Sequence, residues 1–320
     1  MSGTDREVWP TKEVTMESKR KTVGVVGLGS MGLGMAQTLA GKGFHVIGCD
    51  LSAEQCAAAT AANIEAPVDL EKLFSASDFV VFSLPTARDV AGVVNDHIIE
   101  LTRRADRRLI IIDTSTSEPD VSRELAQKLI AVGHGFLDAP VSGGPGGAAS
   151  GNLAMMIGGS DKDVELARPI IEAMAAKILH VGPSGAGNVA KLVNNLLVAA
   201  HMITTSEGLK LAAAAGVSPE AALRVINAAT GRSAISEVHF PTWIMSERFD
   251  SSFSMGLMRK DVRLARELSD RVGTELPLSE LVGQLWAASA DRLSNSDDFT
   301  QMGAFKSAAA TSDKKVSANG

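Results

Sequence analysis

The chain has 320 residues, of which 45% are hydrophobic and 21% charged, so it is long enough for two globular domains. Its formal net charge of -6 argues against a nucleic-acid partner, because there is no basic excess to neutralise phosphates. The sequence contains no tyrosine, which excludes chemistry that depends on a tyrosine as the catalytic acid. The two cysteines, Cys49 and Cys56, are predicted to be buried thiols in a reducing, cytoplasmic compartment and not a disulfide framework or a metal site.

The two ends of the chain are polar. Residues 1–20 carry charges of both signs and are predicted to be a disordered lead-in, not a secretory signal. Residues 310–320 are small and polar and are predicted to be a flexible tail. No apolar run between these ends is long enough to span a bilayer, so no membrane partner is expected.

A run of β-branched residues followed by glycines opens the first predicted domain. Residues 23–26 predict a buried strand, and Gly27, Gly29 and Gly32 then follow with the G-x-G-x-x-G spacing. In this motif the first glycine permits a tight turn, the second lets the backbone approach a pyrophosphate, and the third lets the helix pack closely on the strand. The predicted phosphate turn comprises Gly27, Leu28, Gly29, Ser30, Met31 and Gly32. The stretch predicts a dinucleotide site; the alternative is a plain strand, turn and helix.

An acidic residue after the second predicted strand bears on the choice of cofactor. The strand at 44–49 ends at Asp50, roughly 20 residues after the glycines, where a carboxylate meets the ribose hydroxyls of a dinucleotide. Such a carboxylate would repel a 2′-phosphate, and Leu51 and Ser52 offer no cation to hold one. The sequence therefore predicts NAD as the cofactor, with NADP less favoured.

Strands and helices alternate through the first half of the chain. The apolar runs at 78–85 and 109–113 are typical of parallel strands that are buried on both faces, and a weaker strand is predicted near Ile64. Ser117 is predicted to cap the helix that follows the second run. Repeated strand-then-helix units predict a doubly wound parallel sheet that binds ligands at the carboxyl ends of its strands. The residues at those ends that are expected to line the cofactor cleft are Leu84, Pro85, Thr114 and Ser115.

Only helices are predicted after about Gly182. The first is long and apolar and runs from Gly187 to about Ala214, and further helices are predicted near 218–229, 259–272, 277–293 and 298–309. The predicted architecture is an α/β Rossmann-like, doubly wound N-terminal domain at 21–183, joined by a long interdomain helix to an all-α C-terminal domain at 184–309. The apolar character of 192–214 predicts burial nearly all round, both in its own core and in a subunit interface.

Two further segments contain candidate residues of an active site. At 138–147 a strand exits into a glycine-rich loop whose serine hydroxyl and free N–H groups suit a carboxylate; the alternative is a hairpin without a ligand. Further on, Lys191 and Asn195 are spaced i, i+4 and share a helix face. The helix dipole and desolvation both disfavour a charged Lys191, which suits proton transfer near neutral pH; the alternative is a surface lysine. A third segment, 258–265, is a charged helix start; the alternative is a solvated helix face without a role in the site.

Taken together, these segments resemble the β-hydroxyacid dehydrogenase (3-hydroxyisobutyrate dehydrogenase) family. Four motifs occur in order within 21–309: G-L-G-S-M-G, D-A-P-V-S-G-G, G-x-x-G-x-G-x-x-x-K-x-x-x-N and K-D-V. The resemblance implies an NAD-dependent oxidoreductase that interconverts a short 3-hydroxy acid and its semialdehyde or oxo acid by hydride transfer. It implies that Lys191 is the catalytic acid/base and that Asn195 positions the substrate. It further implies substrate-carboxylate binding by Ser142, Gly143 and Gly144, cofactor contacts from Leu84, Pro85, Ser115 and Lys260, and no metal.

The resemblance leaves the substrate open among 3-hydroxyisobutyrate, tartronate semialdehyde, threonate, sulfolactaldehyde and related short acids. Arg232 is a candidate for binding a second anionic group, or it is a surface arginine. An imine reductase is a weaker alternative because Lys191 argues against it, and 6-phosphogluconate dehydrogenase is a longer protein with a phosphate-binding C-terminal segment. A non-catalytic NAD-binding protein is the alternative from another class. The expected partner is a second copy of the chain, in a homodimer or homotetramer formed through the α-helical domain.

Overall fold

The computed structural model describes residues 21–99 and 108–304. The predicted lead-in at 1–20, the predicted tail at 310–320 and the end of the last predicted helix lie outside these described residues. The chain divides into two compact units, and the boundary falls between Lys191 and Leu192.

An eight-stranded sheet forms the centre of the first unit. Its strands are β1 (Thr22–Val26), β2 (His45–Cys49), β3 (Phe79–Phe82), β4 (Ile110–Asp113), β5 (Gly135–Asp138), β6 (Val141–Ser142), β7 (Leu153–Gly158) and β8 (Ala175–Gly182). They lie in the order β2-β1-β3-β4-β5-β7-β6, with β8 paired to β7. Strands β1 to β5 are parallel, whereas β7 is antiparallel to β5 and β6 and parallel to β8. The predicted Rossmann-like sheet is confirmed, and its far edge is mixed and not parallel.

Apolar clusters cover both faces of this sheet because neighbouring residues of a strand point to opposite sides. Val25 of β1 belongs to one buried cluster and the next residue, Val26, belongs to the other. Strand β4 alternates in the same way, with Ile110 and Ile112 in the first cluster and Ile111 in the second. The α-helices described in this unit are α1 (Ser30–Gly41), α2 (Ala53–Ala61), α3 (Leu70–Ala76), α4 (Ala87–Val93), α5 (Pro119–Ala131), α6 (Gly144–Ser150) and α7 (Asp161–Met174). A short π-helical segment, Val94–Ile98, directly follows α4.

Two local predictions for the first unit are wrong. The strand expected near Ile64 is only a single bridge between Ile47 and Glu65. Ser117 does not cap α5, which begins after Glu118 without a side-chain cap. Ser117 is buried, and its N–H instead donates to the side-chain oxygen of Asn188, so a tertiary partner has replaced the local one.

Helices make up the second unit, as predicted. Helix α8 (Ala186–Ala214) is 29 residues long and passes through the boundary between the units. The other helical segments are α9 (Pro219–Ala228), α10 (Met255–Val272), α11 (Pro277–Ala288), a π-helical segment (Ile235–Ile244) and two 3₁₀ turns (Ser289–Asp291 and Phe299–Gly303). The π-helical segment has no counterpart in the sequence prediction. Of the last predicted helix, at 298–309, the described part is the second 3₁₀ turn.

The core of the second unit forms around Trp286, which is fully buried and whose indole N–H donates to the carbonyl oxygen of Ala199 at 3.2 Å. In the single chain, helix α8 contributes one buried stripe to this core, and burial of its other apolar side chains in a subunit interface stays a prediction. Val193, Leu197 and Leu211 remain 50%, 54% and 72% exposed in the single chain. The apolar composition of α8 therefore exceeds what its own unit buries.

Candidate active site

Two of the three motif glycines have no room for a side chain. Gly27 has φ +90°, and a Cβ there would lie 2.3 Å from the carbonyl oxygen of Ser83. A Cβ on Gly32 would lie 1.8 Å from the carbonyl oxygen of Gly27, so the start of α1 presses directly on the turn. A Cβ on Gly29, by contrast, would meet nothing within 4 Å. The backbone at Gly29 is therefore open to an approaching group, and the geometry around it is fixed.

The start of α1 has the features of an anion-binding site. No side chain within the described residues caps this helix, so the N–H groups of its first turn keep free hydrogen-bonding capacity. These groups and the positive end of the helix dipole suit a phosphate. Asp50 lies beside the turn, where its carboxylate accepts hydrogen bonds from the N–H groups of Leu28 at 2.7 Å and Ser52 at 2.8 Å. Because a carboxylate offers about four acceptor positions, Asp50 can still accept from ribose hydroxyls.

The ends of β3 and β4 are joined by hydrogen bonds through Ser115. The N–H of Leu84 donates to the Ser115 hydroxyl at 3.0 Å, and the N–H of Ser115 donates to a carboxylate oxygen of Asp113 at 3.0 Å. Ser115 is 5% exposed, and Pro85 directly follows Leu84. These residues thus lie together at the carboxyl edge of the sheet, where the sequence placed them.

The glycine-rich segment after β6 is more regular than predicted. Ser142 ends β6, Gly143 and Gly144 have φ +128° and +60°, and α6 begins at Gly144, so the predicted loop is a short turn followed by a helix. Helix α6 packs against α1: the Thr38 hydroxyl donates to the carbonyl oxygen of Ala148 at 2.7 Å. The backbone N–H groups at the start of α6 are the part of this segment that suits a carboxylate.

Lys191 is 6% exposed, so the alternative of a surface lysine is wrong. It follows the first turn of α8, which is attached to the sheet through Asp138 at the end of β5. The Asp138 carboxylate accepts from the N–H groups of Gly185 at 2.6 Å and Asn188 at 2.9 Å. Burial raises the pKa of the Asp138 carboxyl above its usual value, and the hydrogen bonds from backbone N–H groups lower it in part.

Three polar side chains come together within the second unit. The side-chain amide of Asn195 donates to one carboxylate oxygen of Asp261 at 2.6 Å, and the Lys260 ammonium lies 3.5 Å from the other. Asn195 and Asp261 are 4% and 2% exposed, so this is a buried polar contact and not a solvated face. Asn195 and Lys260 were predicted from the sequence as site residues, whereas Asp261 had no predicted role although it belongs to the K-D-V motif.

Arg232 is exposed, and among the described residues no other side chain forms a hydrogen bond or an ion pair with its guanidinium group. Its backbone N–H lies 3.5 Å from the carbonyl oxygen of Ala229.

Across residues 21–99 and 108–304, no group of three or more His, Cys, Asp or Glu side chains is arranged to hold a metal ion. The helices in that part of the chain include none long and apolar enough to cross a membrane.

Models of two known protein domains together match most of the chain. Residues 22–182 match the model of the NAD-binding domain of 6-phosphogluconate dehydrogenase, and residues 185–305 match the model described as the NAD-binding domain of NADP-dependent 3-hydroxyisobutyrate dehydrogenase. The chain is 34% identical to 2-(hydroxymethyl)glutarate dehydrogenase of Eubacterium barkeri over 82% of this chain and 87% of that protein. It is 32% identical to mitochondrial 3-hydroxyisobutyrate dehydrogenase of Drosophila melanogaster over 90% of each.

A solved structure extends the comparison to three dimensions. It is 3-hydroxyisobutyrate dehydrogenase of Mycobacterium tuberculosis with L-serine, which is 32% identical and has a TM-score of 0.81 over 88% of this chain and 98% of that one. The fold and the glycine turn, together with these matches, define an NAD(P)-dependent dehydrogenase of hydroxy acids. The chain belongs to the β-hydroxyacid dehydrogenase family, the family of 3-hydroxyisobutyrate dehydrogenase.

Proposed function

We propose that this enzyme uses NAD to oxidise a 3-hydroxypropanoate that carries a substituent on carbon 2, with Lys191 as the acid/base. The observation that carries the proposal is the burial of Lys191 on the first turns of α8, beside the hydrogen-bonded junction of that helix with β5. A buried amine loses the hydration that favours its charged form, and it can therefore exchange a proton near neutral pH.

The substrate class follows from the molecules named with the relatives. 3-Hydroxyisobutyrate, 2-(hydroxymethyl)glutarate and L-serine all have the form HOCH₂–CH(R)–COO⁻, in which R is a methyl, a carboxyethyl or an ammonium group. They share the primary hydroxyl that would be oxidised and the carboxylate that would orient the molecule. We therefore assign the common part to Ser142, Gly143, Gly144 and Asn195, and the variable part R to other residues.

The mechanism assigns one task to each group of residues. Bound NAD supplies the hydride acceptor. The N–H groups at the start of α1 and the carboxylate of Asp50 hold the cofactor, with Leu84, Pro85, Ser115 and Lys260 along its length. Neutral Lys191 takes the hydroxyl proton as the adjacent carbon loses its hydride, and protonated Lys191 returns that proton in the reverse reaction. Orientation of the carboxylate and of Lys191 supplies much of the rate, as in other reactions between positioned groups.

The first test is reduction of NAD⁺, followed by the absorbance of NADH, with 3-hydroxyisobutyrate, 2-(hydroxymethyl)glutarate and L-serine in parallel reactions at alkaline pH. We expect turnover of at least one of the three. Threonate and the alcohols that correspond to tartronate semialdehyde and sulfolactaldehyde complete the panel. The first of these alcohols, glycerate, has the proposed form with a hydroxyl group as R, so its turnover would support the class. Turnover confined to threonate or to the alcohol of sulfolactaldehyde, which has a sulfonate in place of the carboxylate, would contradict the class. Binding of NAD without any turnover would favour a non-catalytic protein.

Replacement of Lys191 by alanine tests the acid/base. A positioned proton-transfer group contributes about 10²- to 10⁴-fold to a rate, so we expect kcat to fall by that factor while NAD still binds. An enzyme that keeps its kcat without the lysine would return weight to the imine reductase alternative, in which no such lysine is used. Titration with NAD, followed by protein fluorescence, separates loss of chemistry from loss of the cofactor.

The preference for NAD over NADP rests on Asp50. Its carboxylate is fixed beside the glycine turn, and Leu51 and Ser52 after it carry no positive charge. The wild-type enzyme is expected to have the higher kcat/KM with NAD⁺. Replacing Asp50 with asparagine should narrow the NAD⁺/NADP⁺ ratio of kcat/KM by about tenfold, the effect of roughly 1.4 kcal/mol. A wild-type preference for NADP⁺ would overturn the role given to Asp50.

A second candidate substrate is a dicarboxylate, because one relative acts on 2-(hydroxymethyl)glutarate and Arg232 is an exposed cation. If Arg232 binds the second carboxylate, Arg232→Ala should raise KM for 2-(hydroxymethyl)glutarate and leave KM for 3-hydroxyisobutyrate unchanged. If the substitution leaves KM unchanged for both substrates, Arg232 is an ordinary surface residue.

Association of two or four copies through the helical unit is part of the proposal. Helix α11 presents Leu278, Leu281 and Leu285 on one face, and they are 63%, 50% and 39% exposed in the single chain. The exposed apolar side chains of α8 add to this unburied surface. Light scattering on the wild type and on Leu278→Glu/Leu281→Glu tests whether this face joins copies of the chain. We also propose that cofactor binding belongs to the domain that ends at residue 183 and that substrate binding and association of copies belong to the domain that begins at residue 184.

We further propose a reducing, cytoplasmic location, which the free thiols of Cys49 and Cys56 support.

A further inference from the structure

The start of α8 is capped by a carboxylate from a distant part of the chain. Asp138 is fully buried, and its two carboxylate oxygens accept hydrogen bonds from Gly185 N–H and Asn188 N–H, 47 and 50 residues further along. A helix is usually capped by its own preceding side chain, which attaches it only to its own loop. Here the preceding residue is glycine, and the cap attaches the helix to the central sheet.

Asn188 makes a second attachment on the same turn. Its side-chain oxygen accepts from the N–H of Ser117 at 3.0 Å, and its amide donates to the Ser122 hydroxyl at 3.0 Å. Asn188 is fully buried. The first turn of α8 is therefore held from two directions, by the end of β5 and by the segment that leads into α5.

The backbone of this turn also packs closely on the sheet. A Cβ on Gly187 would lie 2.4 Å from the carbonyl oxygen of Asp138 and 2.5 Å from that of Met156. A Cβ on Gly158 would lie 2.5 Å from a carboxylate oxygen of Asp138. The backbone of the helix thus lies against β5 and β7 with no side chain between them, and Lys191 follows within one helical turn of Asn188.

We propose that Asp138 is a positioning residue for Lys191: its carboxylate fixes the first turn of α8 on the sheet and thereby sets the place of the Lys191 amine. This inference rests on the proposed role of Lys191 as the acid/base. It explains why a charged side chain is buried at a point where a neutral local cap would satisfy the same N–H groups. Burial of a carboxylate is unfavourable unless it is hydrogen-bonded, and the helix dipole supplies further stabilisation.

The test is Asp138→Asn, which keeps the shape of the side chain but replaces one acceptor oxygen with a donor. One of the two N–H groups then loses its partner, and the first turn of α8 can shift. A displacement of about 1 Å at a catalytic group costs on the order of 10²-fold in rate, so we expect kcat to fall by about 10- to 100-fold. The dissociation constant for NAD and the KM for substrate should change by less than about threefold.

A matched control separates positioning from stability. Asp163 is also a buried aspartate of the first unit, at the start of α7, where it accepts from the Ser160 hydroxyl at 2.9 Å and pairs with Arg108. Asp163→Asn should lower the melting temperature and leave kcat unchanged. If Asp138→Asn lowers the melting temperature but keeps kcat, Asp138 has a structural role only and the inference is wrong.

A double variant tests whether Asp138 acts through Lys191. If it does, adding Asp138→Asn to Lys191→Ala should not lower the residual turnover further, because the group being positioned is already gone. If the two losses multiply, Asp138 acts on something else, and the inference fails while Lys191 keeps its role. If Lys191→Ala alone is fully active, the proposed acid/base fails first and the inference falls with it.

Discussion

The two units supply their candidate site residues by different means. In the first unit the groups that would bind ligands are mostly backbone N–H groups, presented at the starts of α1 and α6. In the second unit they are side chains on different helices, as in the contact of Asn195 with Asp261. The first arrangement depends on the absence of side chains at particular positions, and the second depends on particular polar atoms. We therefore expect the first unit to be sensitive to added side-chain atoms and the second unit to the loss of polar atoms.

The largest effect is expected where a single methyl group is added to the first unit, in Gly32→Ala. The added Cβ would lie 1.8 Å from a backbone oxygen, which no side-chain movement can relieve. We expect the free energy of unfolding to fall by about 3 kcal/mol, the upper end of the usual range for overpacking, and NAD binding to be lost. Chemical denaturation and NAD titration measure the two effects.

Gly29→Ala is the matched variant in the same turn, because a Cβ on Gly29 would meet no described atom of the protein within 4 Å. Gly29→Ala should keep the stability of the wild type and weaken NAD binding, since the added methyl occupies the space through which the pyrophosphate approaches. If Gly29→Ala binds NAD with wild-type affinity, the backbone of the turn is not what binds the cofactor, and the contrast drawn between the two units is wrong.

A smaller effect is expected in the second unit from Asp261→Asn, which keeps the size of the side chain and removes its charge. The amide of Asn195 then faces an amide in place of a carboxylate, and a charge-assisted hydrogen bond is lost. A hydrogen bond to a charged group contributes about 1.5 to 3 kcal/mol, so kcat/KM should fall by roughly tenfold or more. Asp270→Asn, an exposed change on the same helix, is the control and should have no effect.

The smallest effect concerns stability and pH in the first unit, away from the site. Burial, with a lesser contribution from the Arg108 charge, holds the pKa of His134 below its usual value. The unfolded chain takes up a proton on this side chain below about pH 6.5 and the folded chain does not, so stability falls as the pH falls further. The limiting slope is about 1.4 kcal/mol per pH unit.

The Leu109 N–H donates to Nδ1 of the His134 ring at 3.1 Å. His134→Asn keeps an acceptor for this N–H and removes the titrating group. The decline in the free energy of unfolding between pH 6.5 and pH 5 should therefore flatten. The exposed His97→Asn is the control and should decline like the wild type. Equal slopes in all three proteins would show that His134 is not the group responsible.

The sequence predicted best those features that depend on neighbours in the chain. The glycine spacing, the β-branched strands and the long apolar helix are local patterns, and each corresponds to an observed element. The predicted cap by Ser117 failed because its partner, Asn188, lies 71 residues away, and the π-helical segment at Ile235–Ile244 has no distinctive local pattern.

The site residues divide in the same way. Lys191 and Asn195 were predicted as site residues from their shared helix face together with the family resemblance, and Asp50 from its spacing after a strand. Asp138 and Asp261 stood inside the quoted motifs without an assigned role, since each acts across about 50 or more residues of chain. Asp138 has a signal, an acidic residue in an otherwise apolar stretch, which indicates burial with a partner but does not identify the partner. Asp261 lies among charged residues and has no such signal.

The packing of α1 on α6 has a consequence for enzyme engineering. The helix that starts at the glycine turn and the helix that starts at Gly144 are in direct contact through small residues: a Cβ on Gly34 would lie 3.1 Å from that of Ala148, and the Thr38 hydroxyl donates to the same residue. A substitution that shifts α1 to accept another cofactor will therefore also move the segment assigned to the substrate carboxylate. We therefore expect a change of cofactor preference in this enzyme to change its substrate range as well. Libraries that aim to change only one of the two properties should also vary positions 34, 38 and 148.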